Sequence, residues 1–308
     1  MLLSIVAKHI IAVILGLSLM QAQVFGEESA YDSERVAAMS DQAEKTVRTA
    51  FDLLWELRVQ HQLADTILDP DHTGVIGKEF TPLTTTIGYE EAKMLSTKPG
   101  WASWLVRDLV AHGIYPGAYI AVSMSGSFPA LNIAVFAALQ ELKVDANCIS
   151  SVGASSYGAN EIGLTWPQME RRLRDAGILR LSSSAVALGG TGDRGEEWDA
   201  ETIEMALQAV DYSMLPFLKS LNLRDAIKKR MLHYGKTKHY FCFINVGGGQ
   251  AALGGEGGYR YKHGGWFLDQ LSKKGDPMGV MDCFLDAGVP CLNLLYLDDL
   301  NNRERIVK

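Results

Sequence analysis

The sequence predicts an α/β fold of the Rossmann-like, doubly wound kind: a mainly parallel sheet flanked by helices, preceded by an N-terminal hydrophobic segment and a long helix. Three observations predict it. Residues 119–122 form a short apolar run of β-favouring side chains. Residues 128–142 are apolar at helical spacing, with Pro129 in the first turn, where its missing N–H costs little. The stretch from Asn147 then reads as a second strand, which completes a strand–helix–strand unit whose two strands must be parallel. A right-handed crossover brings the ends of both strands to one edge of the sheet.

The 308 residues are 47% hydrophobic and 21% charged, enough to bury a sizeable core in one α/β domain. A net charge of −7 argues against nucleic acid as a partner, since phosphate neutralisation needs clustered Lys and Arg. The chain divides into a signal peptide or membrane anchor over 1–26, a helical connector over 27–68, the α/β domain over 69–297 and a charged tail over 298–308. In the first of these, Lys8 precedes an apolar run and Glu27, Glu28 and Asp32 follow it. This order places the bulk of the protein outside the cytoplasm, membrane-anchored, or secreted or periplasmic if the segment is cleaved.

Further along, residues 33–63 read as one long helix that Ser33 can cap. A turn cluster at 69–74 leads to a threonine-rich stretch, Thr84, Thr85 and Thr86 before Gly88, flanked by Glu79 and Lys93. Residues 101–112 form an amphipathic helix ended by Gly113. After the strand–helix–strand unit come a helix at 166–176, a strand feeding the glycine loop around Asp193, and helices at 200–210 and 223–232. A strand at 239–246 closes on Gly247, Gly248 and Gly249, and a glycine-rich segment carrying Arg260 and His263 reads as a lid or a surface loop. A helix at 277–287 and a strand at 289–297 complete the domain. The four cysteines show no Cys-x-x-Cys spacing, so they point to neither zinc nor a redox pair; a bridge between Cys283 and Cys291 is compatible with export.

Chemistry concentrates where strands end in hydroxyl residues. Ser123-Met-Ser-Gly-Ser127 lies between a strand and a helix N-terminus, where free backbone N–H groups and the helix dipole favour an anion. A nearby loop carries Ser155, Ser156 and Asn160. With Ser123, Ser127, Asn132, Thr84, Thr85 and the Gly247, Gly248 and Gly249 turn, these are the candidate ligand-binding residues of a carboxylate or phosphate pocket. Ser125 also stands at the centre of a loose nucleophile elbow, for which His263 and Asp193 are the candidate base and orienting acid. No metal ligand set is read from the sequence, and the cofactor is left open.

Two resemblances extend this reading. The Ser-x-Ser-Gly-Ser turn is similar to the phosphosugar-binding loop of sugar isomerase domains, which implies a phosphate ligand. A longer likeness rests on four blocks in order: Gly77-Lys-Glu-Phe-Thr-Pro-Leu-Thr-Thr-Thr-Ile-Gly88, Ser125-Gly-Ser-Phe-Pro-Ala-Leu-Asn132, Ser150-Ser-Val-Gly-Ala-Ser-Ser-Tyr-Gly-Ala-Asn160 and Asn245-Val-Gly-Gly-Gly249. Together they resemble the bacterial poly-γ-glutamate system protein family, from about Asp69 to Leu297. That resemblance implies a membrane-anchored accessory of poly-γ-glutamate (capsule) synthesis or export. Its partners would be γ-glutamyl chains and the membrane-bound synthase or export subunits. A serine-dependent hydrolase or transferase of another exported substrate is the alternative.

Overall fold

A computed structural model describes residues 31–255 and 260–307. The N-terminal segment over 1–26 lies outside the described residues; among those described, no helix is long and apolar enough to cross a membrane.

The centre is a six-stranded sheet in the order β5-β3-β2-β6-β8-β7, from β2 (Tyr119–Met124), β3 (Asp145–Ser151), β5 (Ala185–Ala187), β6 (Cys242–Val246), β7 (Gly265–Phe267) and β8 (Cys291–Leu294). All neighbours are parallel except β7, which pairs antiparallel with β8 at the edge. The chain builds outward from β2 through β3 to β5, then returns to the other side of β2 as β6. Strand order therefore reverses between β2 and β6, the switch point where open α/β sheets form a crevice at the carboxyl ends. Register keeps these ends level: Ser123 stands opposite Ile149 on β3 and Asn245 on β6. A separate pair, β1 (Thr84–Thr86) with β4 (Ala154–Ser155), runs parallel above that edge.

The strands show why the sheet needs two helical layers. On β2, Ile120, Val122 and Met124 enter one apolar cluster, whereas Ala121 enters another on the opposite face. The first cluster is closed by α1 (Ser33–Gln60), α3 (Gly100–Ala111), α4 (Pro129–Glu141) and α5 (Trp166–Asp175). The second is closed by α7 (Leu223–Tyr234), α8 (Gln250–Leu253) and α9 (Val280–Asp286). A smaller cluster holds α6 (Ala200–Ser213) against Val152 and Val186. Helix α4 is buried over every residue from Pro129 to Gln140, as expected of a helix apolar all round.

Several expectations need correction. Helix α1 is capped by Asp32, whose carboxylate accepts from the Arg35 N–H at 2.7 Å, so Ser33 is its first helical residue. Helix α1 packs on the core: Ala43, Val47, Ala50 and Leu54 are buried, and Arg58 pairs with Glu161 at 2.6 Å. Residues 237–239 make a tight 3₁₀ turn, which delays the strand to Cys242. The charged tail is instead the helix α10 (Leu297–Glu304), because Leu297 and Leu300, three residues apart, form a buried stripe under its charges. No bridge joins Cys283 and Cys291; all four cysteines are free thiols, and burial pushes each thiol pKa up.

Candidate functional site

A cavity of about 850 Å³ opens at the carboxyl edge of the sheet, over the switch point. Loops after β2, β3, β5 and β6 form its floor. The short helix α2 (Glu90–Ser96) and the start of α10 contribute to its walls.

The floor is built from two welded loops. Gly126 N–H donates to Gly153 O at 3.0 Å, and Ala159 N–H donates to Gly126 O at 2.8 Å. A side chain at Gly126 would put its Cβ 2.8 Å from Val152 O, so the approach requires glycine. Asn132, buried in the first turn of α4, donates from Nδ2 to Ser125 O at 2.9 Å and fixes the loop to the helix. Ser125 Oγ accepts from Ser127 N–H at 3.3 Å, and Ser127 Oγ accepts from Ser155 N–H at 3.0 Å. The Ser125 and Ser127 hydroxyls thus each hold a backbone N–H, and the second of these bonds joins the two loops. Gly247, at φ +84°, lies so close that a Cβ there would stand 2.3 Å from Ser125 Oγ.

Two cations face this hydroxyl floor. Arg230 on α7 reaches the cavity from the second layer; it bonds Asp193 through Nη2–Oδ1 at 2.8 Å and Nε–Oδ2 at 3.0 Å, and Nη2 also donates to Ser151 Oγ at 3.1 Å. Burial works against its charge, but the Asp193 carboxylate more than offsets this and raises the Arg230 pKa. Its third nitrogen, Nη1, is buried without a hydrogen-bond partner among the described residues. Lys93 on α2 is only 2% exposed; its Nζ donates to Ser127 O and, at 2.8 Å, to Ser155 Oγ, and it lies 4.0 Å from the Phe128 ring centroid. Burial lowers its pKa to about 7. Glu91, Asp193 and Asp298 are the acids on the cavity wall.

The structure brings together Ser123, Ser125, Ser127, Thr85, Ser155, Gly248, Gly249 and Asp193 on the cavity wall. Asn132, Thr84, Ser156, Asn160 and Gly247 stand behind it as supports. Asn160 Nδ2 donates to Lys78 O at 2.7 Å and to Thr84 Oγ1 at 3.0 Å, and Ser156 N–H donates to Thr86 O at 3.0 Å. The expected triad does not assemble. His263 stacks on Phe267 at 4.4 Å, its Nδ1 lies 2.8 Å from Gly264 O, and it is not part of the cavity wall. Asp193 is committed to Arg230 instead. In the segment read as a lid or a surface loop, Arg260 pairs with Asp282 at 2.9 Å and donates to Leu253 O at 2.6 Å.

Sequence reasoning missed Arg230, which follows Lys228 and Lys229 within the helix expected at 223–232 and carries no local motif. Lys93 was visible only as a flank of the threonine stretch; the nearby Gly88, which admits its Cε at close range, is the signal that marks it. Among the described residues no three His, Cys, Asp or Glu side chains converge as a metal site. Comparison with protein-family models, with curated proteins and with solved structures yields no match to this chain.

Proposed function

We propose that the cavity binds carboxylates of a γ-glutamyl chain and that the protein serves as an accessory of poly-γ-glutamate synthesis or export, with its N-terminal apolar segment directing it to or across the membrane. The single observation that carries this reading is a cavity whose wall includes the buried Arg230 beside a floor of Ser123, Ser125 and Ser127. A guanidinium and hydroxyls in fixed positions suit a carboxylate, which can take several donors at once. The overall charge of −7 does not oppose this, because donors inside the cavity act at contact range while the net field is screened over ~8–10 Å. A volume of about 850 Å³ suits a chain end or a short segment rather than a long stretch of polymer. The four sequence blocks that resemble the poly-γ-glutamate system family supply the polymer; the site's donors supply the affinity.

Calorimetric titration of the full chain with defined γ-glutamyl oligomers tests it, with glucose 6-phosphate as the phosphosugar comparison. Saturable binding of the oligomers, weakened roughly tenfold or more by Ser125→Ala or Arg230→Lys, is expected, since a hydrogen bond to a charged group is worth ~1.5–3 kcal/mol. Binding of the sugar phosphate alone, or of neither compound at millimolar concentration, would overturn the proposal.

A further inference from the structure

We propose that Ser155 and Lys93 form a serine–lysine nucleophilic pair, in which Ser155 Oγ attacks an acyl carbon and Lys93 Nζ carries the proton. The substrate class, an amide of a γ-glutamyl chain, rests on the binding reading above; the pair itself does not.

The geometry comes first. Lys93 Nζ and Ser155 Oγ lie 2.8 Å apart, and both residues line the cavity. Each is held from more than one side. Ser155 sits on β4, paired to β1, with its N–H on Ser127 Oγ. Lys93 is fixed by Ser127 O and by the Phe128 ring. A general base must lie within ~2.6–3.2 Å of the proton it takes, and this pair does so before any ligand enters. Ser125, the nucleophile that the sequence favours, has no such neighbour among the described residues: its Oγ accepts from Ser127 N–H and abuts Gly247.

The charge state follows from the surroundings. Glu90 and Glu91 share the helix of Lys93, and Asp298 of α10, Asp193 of the β5 loop and Arg230 of α7 line the same cavity. Among the described residues none of these carboxylates forms an ion pair with Lys93, and Asp193 is held by Arg230. With burial lowering its pKa to about 7, a substantial share of Lys93 is neutral just above neutrality and has a lone pair for the Ser155 proton.

The reaction balances without a further reactant except water. Ser155 Oγ bonds to the amide carbon as its proton passes to Lys93 Nζ. The C–N bond then breaks, and the leaving amine takes that proton from the Lys93 ammonium. Water adds to the resulting ester, losing one proton to Lys93, which returns it to Ser155 Oγ as the ester C–O bond breaks. One amide and one water become one carboxylic acid and one amine.

The test uses the full chain and a fluorophosphonate probe, with the labelled peptide located by mass spectrometry and the rate followed from pH 5.5 to 9. Expected are a label on Ser155, a rate that rises with an apparent pKa near 7, and no label at this site in Ser155→Ala. At pH 8, Lys93→Met should slow labelling 100-fold or more, and Lys93→Arg should slow it similarly because a guanidinium stays protonated. Circular dichroism and melting of each variant report folding, and the wild-type pH profile needs no variant at all. Absence of label on Ser155, a flat pH profile, or labelling that a folded Lys93→Met leaves unchanged would overturn the pair. Calorimetry of wild type against Arg230→Lys with γ-glutamyl oligomers reports the binding reading separately, because that change leaves the Ser155–Lys93 pair intact.

Discussion

Arg230 grips both carboxylate oxygens of Asp193 and leaves Nη1 without a partner among the described residues. The two side chains are 2% and 5% exposed, so each is the other's main compensation for lost water. We predict that Asp193→Asn costs ~3–5 kcal/mol of stability when no anion is present, the usual penalty for stranding one member of a buried pair. A carboxylate in the cavity should restore part of this loss. Denaturant unfolding with and without γ-glutamyl oligomer checks it: the ligand should stabilise Asp193→Asn more than wild type. A loss below about 1 kcal/mol would mean that Arg230 is solvated and cannot serve as the buried anion anchor.

Gly247 and Ser125 form a second coupled pair. At φ +84° any side chain at 247 is strained, by roughly 1–2 kcal/mol for an L residue in left-handed backbone. Its Cβ would also meet Ser125 Oγ at 2.3 Å, closer than non-bonded atoms approach. Gly247→Ala is therefore predicted to lose more than ~2 kcal/mol, and Ser125→Gly in the same chain to recover the clash but not the backbone strain. A double-mutant cycle by urea unfolding reads this directly: a coupling near zero would place the two residues apart in solution.

How much of this was legible in the sequence depends on what each feature requires. Strand β2 and helix α4 were, because an apolar run followed by Pro129 at a first-turn position encodes both the elements and the turn between them. Adjacency of the Ser125 and Ser155 loops followed from the crossover rule alone. The Asp193–Arg230 pairing was not legible, since a cation among lysines reads as surface until α7 is docked on the sheet. Nor was the exclusion of His263, whose position depends on the antiparallel edge strand β7, only Gly265–Phe267 long and embedded in a glycine-rich segment. The C-terminal helix was hidden for another reason: its charged residues outnumber the two leucines that decide its placement.

That last point carries its own prediction. Leu300 is fully buried in the main core cluster, and neighbouring residues Tyr296, Leu297 and Asp298 line the cavity. Leu300→Ala should cost ~2–5 kcal/mol, the range for a buried leucine, whereas the same change in a solvated tail costs almost nothing. Thermal and urea unfolding distinguish the two. Weakened γ-glutamyl binding in the same variant is also expected, because loosening α10 opens one wall of the cavity.

Lys93 sets how stability responds to pH. Its folded pKa is lowered to about 7 by burial, below its ordinary value of 10.5. Between those values the unfolded chain binds a proton that the folded chain does not, so raising the pH favours the folded state. The slope can reach ~1.4 kcal/mol per pH unit. Below about 7 both states are protonated and the folded state bears the full cost of the buried charge. The buried thiols act in the opposite sense at higher pH: their pKa values are raised, so stability falls once the unfolded thiols ionise from about 9. The clean window is therefore pH 7 to 8.5, with Lys93→Met as the reference in which the thiol contribution is unchanged. We predict that the stability difference, wild type minus Lys93→Met, rises through that window by ~1–2 kcal/mol and levels off below it. A difference that stays flat from pH 6 to 8.5, measured by urea unfolding, would show Lys93 charged in the folded protein at neutral pH and remove its lone pair from the chemistry assigned to it.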